Sequence, residues 1–345
     1  MGQYYDGTKL LSMSDINGNK PEIYIATSNR TAGKTTWFNR YAHKKFKQNH
    51  EKYMLIYRYN YELDDVCDKF FKDIQGLFFK DDNLTSKRMA SGIAHQLFCN
   101  DIPCGYAVSL NSADVIKKYS HLFSDTSRMI FDEFQSETNR YCPDELRKFQ
   151  SIHTSVARGN GEQCRYLPVF MISNPVSLIN PYYVKMKISA RLQENTKFLK
   201  GDGFVLEQGF NESASEAQLQ SGFNKAFADD EYQLYSAQGV YLNDNKAFIE
   251  KPAGVSRYVA TIKYNNQHYA IREYADSGIV YCDDRADLSF PLKISVTIND
   301  HDINYVMLKR NEMFISNLRY FFDRGCFRFK NLSAKEALMT TISYY

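Results

Sequence analysis

Residues Ser28-Asn29-Arg30-Thr31-Ala32-Gly33-Lys34-Thr35-Thr36 have the types and spacing of a phosphate cradle. In such a cradle, backbone N–H groups at a helix N-terminus wrap phosphate oxygens. The lysine reaches the β and γ oxygens, and the hydroxyl residue after it holds Mg²⁺. The flanks agree: Ile23 and Ile25 alternate as in a strand, and Trp37, Tyr41 and Phe46 continue a helix after Gly33. The pattern departs from G-x-x-x-x-G-K-[ST] at its first position, where Ser28 stands. About a hundred residues later, Met129-Ile130-Phe131 runs into Asp132-Glu133-Phe134. A buried strand ending in two carboxylates supplies the other half of a hydrolytic site: Asp132 for the metal, Glu133 to polarise the attacking water. Each half alone has a bland reading, a chance Gly-Lys-Thr or a core strand ending at an acidic turn. In this order they predict a nucleoside triphosphatase.

Other residues have two readings each. Arg58, at the end of Ile56-Tyr57-Arg58, could reach a nucleotide base or pair with an acid. Arg30 lies inside the phosphate loop, where a sensor of the γ-phosphate is the natural use of a cation. Arg158 precedes Gly159-Asn160-Gly161, so it either answers a helix dipole or acts as an arginine finger on a neighbouring subunit. Lys117-Lys118 is a solvated charged pair by default. Ser173-Asn174 ends a strand and could orient the lytic water or mark a plain exit before Pro175. Between 303 and 331, Lys309, Arg310, Arg319, Arg324, Arg328 and Lys330 interleave with aromatics. The basic excess hints at nucleic acid, while helical spacing makes most of those rings core. Glu250, Asp276, Asp283, Asp284 and Asp287 raise the question of a two-metal nuclease, for which converging carboxylates are required.

These residues sit in alternating elements. Strands are expected at 22–28, 53–59, 128–132 and 167–173, with helices at 34–48, 62–72 and 142–157. That alternation predicts an α/β fold with a mostly parallel sheet and ligands at the strands' carboxyl ends. Residues 76–110 break the rhythm as a β-rich or mixed excursion. Gly201-Asp202-Gly203 and the polar run from Asn211 read as a boundary. The expected division is an ATPase domain over 1–205, a linker or small helical joint over 206–234, and a second domain over 235–345. Strands are expected there at 247–250, 258–264, 269–274 and 279–282, and helices at 311–323 and 333–342. The 345 residues suffice for two domains. No signal-like or membrane-spanning apolar run is present, and seven cysteines without a C-x-x-C pair predict reduced thiols. Cys99 and Cys104 lack a second ligand pair, which argues against zinc. With a net charge of +3, any grip on nucleic acid must be local.

With those residues placed, the chain resembles the DNA-packaging motor ATPases of small podoviruses of the Bacillus phage phi-29 type. The likeness rests on Ser28–Thr35, on Phe131-Asp132-Glu133-Phe134, on Ile172-Ser173-Asn174-Pro175-Val176-Ser177-Leu178-Ile179-Asn180-Pro181-Tyr182, and on Phe248-Ile249-Glu250-Lys251. The resemblance implies an additional-strand P-loop ATPase and an RNase-H-like C-terminal domain that has lost its nuclease carboxylates. It implies a homo-oligomeric ring, a pentamer in the family, at the portal of an empty procapsid in the host cytoplasm, driving double-stranded DNA inward with ATP and Mg²⁺. A packaging RNA serves some members. Lys34 and Thr35 would take the phosphate and Mg²⁺ roles, Asp132 the metal and Glu133 the catalytic base. Arg158 falls on the family's trans-acting finger and Lys118 on its companion lysine. Asn60 stands where a channel-loop lysine would be, leaving Tyr61 or Arg140 as substitutes. The rival is a terminase large subunit whose C-terminal nuclease, built on Glu250 with Asp283 or Asp284, is active.

Overall fold

The computed structural model describes residues 4–68, 70–137, 141–158, 163–178, 180–189, 191–192, 196–226, 247–308, 311–322 and 324–343. The chain divides into two compact units. The first comprises the described residues within 1–136, 141–175 and 195–240. Its nine-stranded sheet has the order β3 (Leu84–Met89), β4 (Ala94–Cys99), β5 (Ile102–Ser109), β2 (Lys52–Tyr57), β6 (Thr126–Asp132), β7 (Val169–Ser173), β1 (Ile23–Thr27), β9 (Phe204–Gln208) and β8 (Phe198–Gly201). From β5 through β9 the neighbours run parallel. Antiparallel strands close both edges.

Central parallel strands are covered on both faces, so they need continuous apolar runs rather than alternation. Met54-Leu55-Ile56, Met129-Ile130-Phe131 and Val169-Phe170-Met171-Ile172 supply them, and all are buried. The helix Lys34–Asn49 lays Phe38, Ala42 and Phe46 on one face against this sheet. It stops at His50, whose left-handed backbone (φ 57°) returns its N–H to Phe46 O at 2.8 Å. The 76–110 excursion resolves into a β3–β4 hairpin and β5, which joins β2 in parallel.

Around the boundary expected near 201–205 the chain stays within the first unit's sheet. Gly201-Asp202-Gly203 is the turn of the β8–β9 hairpin, with Gly203 at φ 74°, and β9 pairs in parallel with β1 from Ile23↔Phe204 onward. The polar run after it begins the helix Glu212–Gln220, where the Asn211 side chain accepts from Ala214 N. A tight Gly-Asp-Gly turn and a linker share one composition, and only pairing with a distant strand separates them. Residues 227–234 of the expected linker lie outside the described residues.

The second unit comprises the described residues within 137–140, 176–194 and 241–345. Its sheet runs β14 (Val306–Met307), β13 (Lys293–Ser295), β10 (Arg257–Tyr264), β11 (Gln267–Tyr274), β12 (Ile279–Asp283), β15 (Phe327–Phe329). β10, β11 and β12 form an antiparallel meander, and β13, β14 and β15 add in parallel at its sides. Ala260, Ile262, Ile271, Val280 and Ile294 meet Ile315 and Leu318 of the helix Glu312–Phe322 and Ala337, Leu338 and Ile342 of the helix Leu332–Ser343. The strand expected at 247–250 is reduced to one bridge, Phe248↔Phe329. Asn180-Pro181-Tyr182 starts a short helix: Asn180 accepts from Tyr183 N at 3.0 Å and Pro181 occupies the first turn. Among the described residues no helix is long and apolar enough to cross a membrane.

Gly105 of β5 faces Tyr53 of β2 in register, and a Cβ there would run into the Tyr53 carbonyl and ring. Gly105→Ala is expected to lower unfolding stability by roughly 1–3 kcal/mol, the usual cost of overpacking. Urea denaturation followed by circular dichroism measures it.

Candidate nucleotide site

β7 lies between β1 and β6, so the loop leaving β1 and the carboxylates leaving β6 are two strand spacings apart, about 10 Å. A triphosphate spans such a gap. All three strands end at the same edge, where an open parallel sheet presents its ligand crevice.

Gly33 is the N-cap of the helix Lys34–Asn49 and sits at φ 91°, a backbone region open to a residue without Cβ. Ser28, at the position of the missing first glycine, is not among the residues with positive φ. It is also used: Lys34 Nζ donates to Ser28 O at 2.8 Å and Ser28 Oγ at 2.9 Å, and to Asn29 O at 3.2 Å and Asn174 Oδ1 at 3.3 Å. Lys34 is 6% exposed. Burial lowers its pKa to about 8; the Asp132 carboxylate opposes that fall and the nearby Arg30 cation adds to it. Ala32 is buried beneath the loop.

Thr31 takes φ 59°, a costly conformation for a β-branched residue. Its hydroxyl donates to Arg30 O at 2.7 Å and accepts from Gln218 Nε2 at 2.9 Å. Asn29 Nδ2 donates to Asn211 O at 3.1 Å, and Asn29 Oδ1 accepts from Asn211 N at 2.9 Å. The loop's outer side is therefore tied to the helix Glu212–Gln220. Neither Asn211 nor Gln218 carries a motif by which sequence could have singled it out.

Asp132 accepts from Glu133 N at 3.0 Å. Burial pushes its carboxyl up to about 6, with Thr35 resisting and Glu133 adding to the rise. Thr35 and Asp132 are hard oxygen donors beside a phosphate cradle, the donor set that suits Mg²⁺. Thr36 continues the same helical turn. Glu133 is exposed, with its backbone at φ 54°.

Arg58 is buried and takes the second of its two readings, pairing with an acid. Its Nε donates to the Glu145 carboxylate at 3.0 Å, and its Nη2 donates to Glu133 O at 3.2 Å and Phe134 O at 2.8 Å. The guanidinium thus fixes the turn that presents Glu133. Glu145 is the residue that sequence reasoning missed, because an ion pair 87 positions apart leaves no local pattern. Arg158 is the exposed C-cap of the helix Glu145–Ala157. Lys118 is exposed on the 3₁₀ segment Lys117–Phe123, which packs against that helix, and Lys117 pairs with Asp114 at 3.5 Å.

Asn60 Oδ1 accepts from the Ser109 hydroxyl and from Ser112 Oγ, so its side chain is engaged within its own unit. Tyr61 is 67% exposed and stacks on Tyr59 at 5.4 Å. Arg140, Gly159-Asn160-Gly161, Lys309 and Arg310 lie outside the described residues. Of the C-terminal aromatics, Phe314, Phe321, Phe322, Phe327 and Phe329 join the core and Tyr320 stays exposed. Arg324 donates to Tyr320 O and Arg328 to Gly325 O.

The family model described as podovirus DNA encapsidation protein (Gp16) matches residues 2–342. The DNA packaging protein of Bacillus phage phi29 is 24% identical over 332 residues, 95% of this chain and 93% of its own length. That of Bacillus phage B103 is 25% identical over 322 residues, 91% and 93% respectively. Among solved structures, a chain of the bacteriophage phi-29 genome packaging motor assembly superposes with a TM-score of 0.56 at 22% identity, covering 98% of this chain and 99% of that one. The phi-28 gp11 DNA packaging motor gives 0.61 at 15% identity, covering 100% and 97%. At these identities the structural likeness concerns the fold.

Glu145→Ala removes the carboxylate from a buried guanidinium. It is expected to cost roughly 3–5 kcal/mol of stability, read from thermal or urea unfolding of the variant against the parent.

Proposed function

From this chain's membership of the podovirus DNA encapsidation protein family, to which it belongs, we propose that it is the ATP-hydrolysing subunit of a viral DNA-packaging motor. The observation that carries the reading is Lys34, a buried ammonium joined to the ends of β1 and β7 and electrostatically coupled to Asp132 at the end of β6. Its protein partners are neutral oxygens, which phosphate oxygens can replace with a charged bond.

In this reading the loop Ser28–Thr36 receives the ATP phosphates on backbone N–H groups, with Arg30 adding positive charge. Lys34 turns from Ser28 and Asn29 to the β and γ oxygens. Thr35 and Asp132 hold Mg²⁺, which when bound neutralises developing phosphate charge. Glu133, exposed and held by Arg58 through its carbonyl, takes the proton of the attacking water. Asn174 stands between the two halves and reports the γ-phosphate. Arg158 and Lys118, exposed on adjoining elements, serve the site of a neighbouring copy in a ring. The placement of β7 between β1 and β6 supports the additional-strand class of P-loop ATPase.

The substrate moved is double-stranded DNA, passed through the portal of a procapsid. A grip through backbone phosphates makes binding salt-sensitive and nearly blind to sequence. The order β14-β13-β10-β11-β12, a meander extended in parallel on the β10 side, supports an RNase-H-like second domain. Its acids argue against the nuclease alternative. Asp283 is paired with Arg272 at 2.9 Å, and Asp284 with Lys330 at 2.7 Å. Asp287 accepts from Ser289, while Glu250 and Asp276 are exposed. Among the described residues they form no metal-binding group with one another.

Glu133→Gln is expected to bind ATP and hydrolyse none, and Arg158→Ala to be inactive in a pure ring. Mixed rings of the two regain turnover under a shared-site arrangement, because each copy supplies what its neighbour lacks. Phosphate release from verified mixed rings is the readout, and no recovery at any mixing ratio contradicts a trans-acting Arg158.

A further inference from the structure

Away from the phosphate loop, His43, Asp82 and Cys99 each bring one ligand atom to a common point, all within 4.8 Å of one another and all buried. They come from three elements: the middle of the helix Lys34–Asn49, the segment before β3, and the end of β4. His43 Nε2 lies 3.0 Å from Asp82 Oδ2 and 3.8 Å from Cys99 Sγ. A tetrahedral zinc ion, with bonds of about 2.0 Å to nitrogen and oxygen and about 2.3 Å to sulfur, sets those pairs about 3.3 Å and about 3.5 Å apart. We propose that His43, Asp82 and Cys99 form a binding site for zinc or a similar nitrogen- and sulfur-seeking divalent ion.

An imidazole–carboxylate hydrogen bond alone accounts for the 3.0 Å contact. It does not account for a thiol converging on the same nitrogen. The surroundings are also those of a held ligand set. Tyr53 OH faces the other imidazole nitrogen at 3.4 Å, the place where metal-bound histidines find an orienting partner. Asp82 Oδ1 accepts from Lys47 at 2.7 Å and Asn100 at 3.1 Å, which leaves Oδ2 aimed at the cluster. The rings of Phe46, Phe71 and Phe79 enclose the imidazole.

Zinc with a thiolate and a carboxylate carries no net charge, so burial of the ion is tolerable and Lys47 remains the carboxylate's outer partner. Binding breaks the Cys99 S–H bond, forms a sulfur–metal bond and releases one proton to solvent. The ion is not the Mg²⁺ of the phosphate site, because Mg²⁺ demands oxygen ligands. Its effect is to pin the β3–β4 hairpin and the segment before it to the helix whose first turn carries Lys34 and Thr35. The inference does not depend on the motor reading. Sequence spacing does not reveal it, because the ligands are scattered over three elements with no Cys-Cys pattern.

The test uses the full chain, purified without chelator and dialysed against metal-free buffer. Elemental mass spectrometry should find close to one zinc per chain. Cobalt substitution should give a tetrahedral visible spectrum with a sulfur-to-cobalt charge-transfer band. Cys99→Ser should abolish that band and weaken zinc binding roughly tenfold or more, while Cys164→Ser, at an exposed thiol, keeps both. Far-UV circular dichroism checks folding. Should Cys99→Ser not fold, Asp82→Asn is read instead, retaining the sulfur band with a changed visible spectrum and weaker zinc binding. Absence of zinc together with no cobalt spectrum overturns the proposal. So does a charge-transfer band that persists in folded Cys99→Ser, or an unaltered spectrum and zinc affinity in Asp82→Asn.

Discussion

The first unit is arranged around one buried positive charge. An ammonium withdrawn from water must be repaid in bonds, and Lys34 collects four oxygens from the ends of β1 and β7. That demand explains several otherwise separate features. Gly33 takes φ 91° so that the helix can begin where its lysine turns inward. Ser28 stands where the motif has glycine, because an ordinary backbone suffices there and its hydroxyl adds an acceptor. Asn174 closes the ring from the inserted strand β7. Four neutral acceptors compensate a charge only in part, and burial lowers the lysine to about 8.

The carboxylate side obeys a matching constraint. Asp132 is pushed up to about 6 by burial and restrained by the Thr35 hydroxyl in the first turn of the helix Lys34–Asn49. Glu133 follows in a left-handed turn that a non-glycine residue does not hold unaided. Arg58 supplies that support. Its guanidinium grips the two carbonyls of the turn while Glu145 balances its charge. The same helix that begins with Glu145 ends at exposed Arg158, so the support of the Glu133 turn and that exposed cation share one element.

How much of this was legible follows from distance along the chain. Ser28–Thr35 and Asp132-Glu133 could be read because each is contiguous and each sits at a strand end defined by its own apolar run. For Arg58 an acid partner was one of two readings, but Glu145 itself could not be named, since it lies 87 residues away. Gly201-Asp202-Gly203 misled because composition records flexibility and not partners; the strand after it completes the sheet beside β1. Asn29 and Thr31 lie within the contiguous Ser28–Thr35 run, but their ties to Asn211 and Gln218 are long-range hydrogen bonds without periodicity. In the second unit the meander was readable from its alternation and polar turns, whereas Ala247–Glu250 had strand-like residues and only one bridging partner.

The central claim is that the Lys34 site turns over ATP in service of DNA movement. Steady-state phosphate release by the purified chain, with and without double-stranded DNA and beside Lys34→Ala, tests it most directly, with procapsids supplied to assemble the ring. The account predicts turnover that DNA stimulates and that Lys34→Ala abolishes. Equal turnover in Lys34→Ala, or none from the parent chain with DNA and procapsids both present, would contradict it.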